Sequence, residues 1–276
     1  MTESTDCERS AFDFDEFFAA FWRKRPLFVP GGAADFLGRS WSPEDFAAAR
    51  DRSLAERAGS VTERPGEVTF IEEVSAFDTD LAGRAADFAR VFGAPRAWFD
   101  TVRTYGADGI GAHFDHSDNF VLQQTGVKEW SLAAPHHIRP ETRARRMMNV
   151  PGVGGHGLPD TDVLRFRVSP GDLLYIPIFW LHSGVSEAES LSLSLVCPAV
   201  SLQSAVLPFL TQTAKSRALG HQPVPAFHAH MSADARAEAE ETLRRATLAL
   251  LERLTSGDVV AGTLRLQSEH LLNQLT

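Results

Sequence analysis

Between residues 97 and 198 the chain breaks into short apolar or alternating runs, "FDTVRTYG", "NFVLQQTG", "KEWSLAAP", "VLRFRVSPGDLLYIPIFW" and "SLSLSLVC", separated by glycine and proline. Period-two alternation bounded by turn residues is the signature of antiparallel β-structure, and no helical period fits these runs. This segment is expected to form a β core spanning 97–200. The flanking segments differ. Phe14, Phe17, Phe18, Phe21 and Trp22 fall at helical spacing on one stripe ahead of Pro26. "SPEDFAAARDRSLAERAG" and "DLAGRAADFARVFG" read as two further helices, with a short strand at "GEVTFIEEV" between them. Residues 1–96 are therefore expected to form a helical shoulder packed on the core. Residues 201–276 are expected to be a helical region whose clearest segment, "SADARAEAEETLRRATLALLERL", carries Leu243, Ala246, Leu250, Leu251 and Leu254 on one face. That face is expected to pack on the core or on a second copy, making a homodimer through the C-terminal helices. "NVPGVGGHGLPD" at 149–160 is a glycine- and proline-rich loop long enough to be a lid.

Composition narrows the classes of partner. The formal charge of −9 argues against general nucleic-acid binding, which needs clustered Lys and Arg. No run approaches a membrane span or a secretory leader. Cys7 and Cys197 lie far apart, which is no disulfide framework. A cytoplasmic protein is the expectation, with no membrane contact.

The chemistry is concentrated in "GAHFDHSDNF", residues 111–120. His113 and Asp115 are two apart, so on an extended strand both side chains share a face and can bind one ion. "GDLLYIPIFWLHSG" brings an apolar strand and an aromatic pair, Phe179 and Trp180, to His182, which would close a set of three ligands. Two imidazoles and one carboxylate on one side of an ion leave the opposite positions open, as in the facial triad of non-haem Fe(II) oxygenases. A hydrolytic zinc centre can use the same donors. Alternation places Ser117 and Asn119 on the face of Asp115. His116 is out of phase and is expected to point away. Arg139, Arg143, Arg145 and Arg146 form a basic run that reads as a solvated helical face, and His136 and His137 read as turn or surface residues.

"HFDHSDNFVLQQTGVKEW" followed by "GDLLYIPIFWLHSG" resembles the JmjC hydroxylases of the cupin superfamily, Fe(II)- and 2-oxoglutarate-dependent oxygenases built on a double-stranded β-helix or jelly-roll. Asn119, four residues beyond Asp115, and Lys128, thirteen beyond it, stand at spacings used in the asparaginyl hydroxylase of the hypoxia-inducible factor. Lys128 also fits the spacing of bacterial ribosomal oxygenases, as does Thr104, a hydroxyl residue nine before His113. Ile110 departs from the first pattern, where a hydroxyl residue stands three before the histidine. The segment "FFAAFWRKRPLFVPGG" is similar to the ribosomal-oxygenase group as well. The resemblance implies that His113, Asp115 and His182 hold Fe(II), and that Lys128 and Thr104 bind the 5-carboxylate of 2-oxoglutarate, with Asn119 alongside. It also implies that O2 and a protein, peptide or small-molecule substrate are the other reactants. N-methyl demethylation and a non-catalytic binding module are the competing readings.

Overall fold

The computed structural model describes residues 12–106, 109–201 and 231–257 continuously, with scattered positions between 203 and 227 and at 261, 262 and 265. The chain divides into two compact units, 1–199 and 200–276.

In the first unit, α1 (Phe14–Ala20), α2 (Pro43–Glu56) and α3 (Thr79–Val91) precede most of the strands. Each begins on a side-chain cap: Asp13 accepts from the Glu16 amide, Ser42 and Asp45 form a reciprocal capping box, and Asp78 accepts from the amides of Asp80 and Leu81. The strands are β1 (Leu27–Val29), β2 (Val61–Arg64), β3 (Val68–Ile71), β4 (Trp98–Thr104), β5 (Ser117–Thr125), β6 (Lys128–Ala133), β7 (Val163–Val168), β8 (Leu173–Ile176), β9 (Leu181–Val185) and β10 (Ser190–Pro198). A short helix, α4 (Pro140–Met147), follows β6. Seven strands form one antiparallel sheet in the order β1-β8-β5-β10-β4-β3-β2, and β7-β6-β9 form a second.

The two faces of the large sheet carry different chemistry because side chains alternate. Along β10, Leu191, Leu193, Leu195 and Cys197 enter an apolar cluster with Phe17, Phe36, Phe88, Phe92 and Tyr175 from the N-terminal elements and β8. Ser192, Ser194 and Val196 face the opposite way, into a cavity. Strand β5 follows the same rule: Phe120 and Leu122 join the aromatic cluster, whereas Val121 packs with Leu132, Leu174, Ile176 and Trp180 between the sheets. Phe92 lies 4.7 Å from Phe120 and Phe17 4.8 Å from Tyr175, ring centre to ring centre. The stripe of α1 therefore supplies the cover for the back of the sheet, leaving the front free for a site.

Two features of the sequence take a different form in space. The N-terminal shoulder contains β1, which pairs with β8, and β2, which forms a hairpin with β3 beside β4. Strand β1 is too short to show a period, and β2, "VTER", is a polar edge. The run from Leu173 to His182 is not one strand. It is β8 in the large sheet, a turn at 177–180 in which Phe179 adopts φ +64°, and β9 in the small sheet. Buried Asp118 fixes this crossing, accepting from Ile178 N at 3.2 Å, Tyr175 Oη at 2.8 Å and Arg23 Nε at 2.9 Å.

In the second unit α5 (Ala233–Leu254) starts on Ser232, and Leu254 is buried while Leu248 and Leu251 are exposed. Among the described residues no helix is long and apolar enough to cross a membrane. Cys197 is buried, and Cys7 lies outside the described residues.

Candidate metal centre

His113 and Asp115 sit in the lead-in to β5 rather than on the strand itself. His113 nevertheless pairs as a β-bridge with His182, its amide donating to the His182 carbonyl at 3.0 Å and its carbonyl accepting from the His182 amide at 2.8 Å. It thereby adds a one-residue fourth position to the edge of the small sheet. Phe179 N donates to the Asp115 carbonyl at 2.9 Å, so the turn before β9 braces the second residue as well. Local alternation is kept: His113, Asp115, Ser117, Asn119 and Val121 all line one cavity of about 360 Å³ between the sheets.

Three ligand atoms converge there, all within 4.8 Å of one another. His113 Nε2 and His182 Nε2 are 3.0 Å apart, and Asp115 Oδ2 is 3.6 Å from each. The other nitrogens face backbone carbonyls: His113 Nδ1 is 2.8 Å from Gly111 O, and His182 Nδ1 is 2.9 Å from Trp180 O. A ring nitrogen facing a carbonyl must donate, so in the neutral tautomer each Nε2 carries a bare lone pair. Burial first, and then His113, push the His182 ring down to about 4 despite Asp115 and the Trp180 carbonyl, so it is neutral at physiological pH. Burial would raise the Asp115 carboxyl, but His113, His182 and Arg146 hold it below the ordinary aspartate range. Two lone pairs and an anionic oxygen directed at one point repel each other unless a cation lies between them. With metal–donor bonds of roughly 2.1 Å, adjacent ligands of an octahedral ion are about 3 Å apart and those of a tetrahedral one about 3.4 Å. The donors fit three neighbouring positions of either.

The other residues singled out in the sequence divide. Asn119 Nδ2 donates to Asp115 Oδ2 at 3.3 Å. Lys128, the first residue of β6, is 2 % exposed and lines the cavity, its Nζ 5.4 Å from the Trp130 ring centre. Burial pushes this ammonium down to about 8. Gly184 makes room for it on β9, since a Cβ there would lie 3.1 Å from both Lys128 Cδ and the Trp130 ring. Thr104 is fully buried behind this wall, its hydroxyl 2.7 Å from both Ser186 Oγ and Ser190 Oγ.

Two expectations are corrected. His116 lines the cavity instead of pointing away, because it stands in a bend before β5 and strict alternation does not apply to it. The basic run is not uniformly solvated. Arg139 and Arg145 are exposed, but Arg143 lies over the Phe179 ring and Arg146 Nη2 donates to Asp115 Oδ1 at 2.9 Å. Helical spacing put both on one face of α4, yet no local signal says that this face meets the ligands. His136 is exposed on a short turn and His137 partly so. The 149–160 loop is bound along the ligand segment: Phe114 N donates to Gly154 O and His156 N to Ala112 O.

Asp100 was not singled out in the sequence. It lines the cavity with Trp98, Phe70 and the β10 serines, and accepts from Glu73 N at 2.7 Å. Burial is the main cause that pushes its carboxyl up to about 7. The folded state therefore holds a proton that the unfolded chain releases near the usual aspartate value, and stability falls as pH rises across that window. Asp100→Asn keeps the acceptor and removes the charge. Denaturant unfolding of the metal-free protein should show a gain of about 2–4 kcal/mol above pH 7 that vanishes toward pH 4.

The cavity lining also contains polar nitrogens without partners. Trp130 Nε1, His116 Nδ1 and Arg146 Nε are buried with no hydrogen-bond partner in the protein among the described residues. Buried polar atoms left open in this way suit a polar occupant.

Residues 86–204 match the JmjC domain family, and the fold and the three converging donors agree with that match. In sequence the chain is similar to the bifunctional lysine-specific demethylase and histidyl-hydroxylase NO66 of Drosophila persimilis, 33 % identical over 98 residues, covering 36 % of this chain and 13 % of that protein. It is also similar to a probable ribosomal oxygenase of Haemophilus influenzae, 24 % identical over 198 residues, covering 64 % and 48 %. The chain thus spans half or less of these curated relatives. In fold it is similar to the ribosomal oxygenase YcfD of Escherichia coli solved with cobalt and 2-oxoglutarate, with TM-score 0.56, 18 % identity and coverage of 92 % and 70 %.

Proposed function

We propose that this chain is an Fe(II)- and 2-oxoglutarate-dependent oxygenase that hydroxylates an unactivated C–H bond, its substrate a protein or peptide side chain. The observation that carries the reading is the convergence of two bare imidazole nitrogens and one carboxylate oxygen in a cavity that also holds a buried ammonium, Lys128, with no carboxylate partner among the described residues. A zinc hydrolase needs the first half of that arrangement and has no use for the second. A dicarboxylate cosubstrate needs both, one end for the metal and one for the cation.

His113, Asp115 and His182 would hold the metal, with Gly111 O and Trp180 O fixing the ring tautomers and Asn119 steadying Asp115. Lys128 would bind the far carboxylate of 2-oxoglutarate. Thr104, engaged by Ser186 and Ser190, supports the wall beside it and reaches the cosubstrate only if that hydroxyl cluster rearranges. When bound, Fe(II) with 2-oxoglutarate and O2 inserts one oxygen atom into a C–H bond and leaves succinate and CO2. Asp100, Ser192 and Ser194, which also line the cavity, would offer acceptors to the substrate.

The substrate class rests on the relatives' names, ribosomal oxygenase above all. The test is incubation with Fe(II), 2-oxoglutarate, O2 and the ribosomal proteins of the parent cell. The expected outcome is a mass gain of one oxygen atom on one protein, matched by succinate. A gain confined to free amino acids or metabolites would remove the protein-substrate reading, and formaldehyde release would mark demethylation instead.

A further inference from the structure

Arg146 reaches the carboxylate of Asp115 from outside the three-ligand motif. Its Nη2 donates to Asp115 Oδ1 at 2.9 Å, while Oδ2 is left facing both imidazole nitrogens and the Asn119 amide. The two oxygens of one carboxylate are thus assigned to different partners. The guanidinium is itself held. It packs on Gly154, where a Cβ would lie 3.5 Å from Cζ, and the Gly154 carbonyl accepts from Phe114 N, next to Asp115. Arg143, one turn earlier on α4, covers Phe179, whose amide donates to the Asp115 carbonyl. Helix α4 and the 149–160 loop therefore grip Asp115 through its side chain and through the backbone around it.

Coordination arithmetic gives that grip a purpose. On a six-coordinate ion, two imidazoles and one carboxylate oxygen leave three positions, of which a chelating 2-oxoacid takes two and O2 needs the third. A carboxylate bound through both oxygens would consume that third position. A guanidinium N–H on Oδ1 is a charge-assisted hydrogen bond that must break before Oδ1 can turn to the ion.

We propose that Arg146 is a positioning residue that confines Asp115 to coordination through Oδ2 and so keeps one position of the metal open once 2-oxoglutarate is bound. This rests on the Fe(II)/2-oxoglutarate reading above. Nitric oxide serves as the probe, because it occupies an open iron position and gives an iron–nitrosyl EPR signal without turnover. In anaerobic Fe(II) protein, Arg146→Ala is expected to keep the charge-transfer band that 2-oxoglutarate induces, but to need at least about tenfold more nitric oxide for the signal. Arg146→Met, which keeps much of the side chain's length but removes the N–H donors to Oδ1, is expected to behave like the alanine variant, and it carries the test if the alanine variant does not fold. Parent-like nitric oxide affinity in the variants overturns the proposal, as does parallel loss of the band and the signal, which marks a collapsed site. A parent protein without any 2-oxoglutarate-dependent band overturns the oxygenase reading, and this one with it. A parent with the band and unchanged variants overturns this one alone.

Discussion

His182→Ala is expected to abolish the visible absorption that Fe(II) and 2-oxoglutarate together produce under anaerobic conditions. Turnover should fall by more than the roughly 10–100-fold typical of losing an outer-shell partner of a metal ligand. The reason is specific to this ring. His182 is the most buried of the three proposed ligands, 5 % exposed against 24 % for His113 and 22 % for Asp115, and burial holds its ring well below the usual histidine range, so its lone pair is available near neutral pH. Removing it leaves a two-ligand edge from one segment, His113 and Asp115, with nothing from the opposite strand. The β-bridge between 113 and 182 is made by backbone atoms and survives the substitution, so circular dichroism and the unfolding midpoint should change little. A variant that folds and keeps the band would place the third ligand elsewhere and end the triad assignment.

Lys128→Met is expected to move binding and stability in opposite directions. Truncating one partner of a buried charge pair costs about 3–4 kcal/mol, which is roughly 10²–10³-fold in 2-oxoglutarate affinity, while Fe(II) affinity stays near the parent value because Lys128 touches none of the ligands. Without cosubstrate the sign reverses. The ammonium is buried with its pKa lowered from 10.5 to about 8, so the unfolded chain binds the proton more tightly than the folded one. Its cost is fully present below pH 8 and fades as pH rises to the unfolded value. The methionine variant should therefore unfold at higher denaturant concentration at neutral pH, by about 2–3 kcal/mol, with the gain shrinking at alkaline pH. Such opposed effects mark a residue kept for function at the expense of stability. Unchanged cosubstrate affinity, read by titrating the charge-transfer band, would remove Lys128 from the site.

Much of this was readable in the chain because short-range geometry and the chemistry lie along the same strands. Period-two spacing alone carries His113, Asp115, Ser117 and Asn119 to one wall, and Lys128 and Trp130 to the next. The serines of "SLSLSLVC" alternate with leucines that enter the aromatic cluster, so the two faces of β10 are already distinguishable as letters. The stripe of α1 behaves likewise. Where the backbone leaves regular geometry, the rule lapses. His116 turns inward from a bend, and the sequence before His182 reverses at a turn with a positive φ instead of continuing as a strand.

What the sequence by itself determined was the set of candidate donors, their local phase and the antiparallel character of the core, because these depend on side-chain type and on alternation within a strand. Only the tertiary structure decided which distant residues meet. It brought Arg146 from α4 to Asp115, set Asp100 into the cavity lining and left Thr104 bonded to Ser186 and Ser190. Each of those outcomes follows from sheet register, helix docking and loop pairing across long separations. Such contacts are fixed by the packing of the whole core, which no window of neighbouring residues contains.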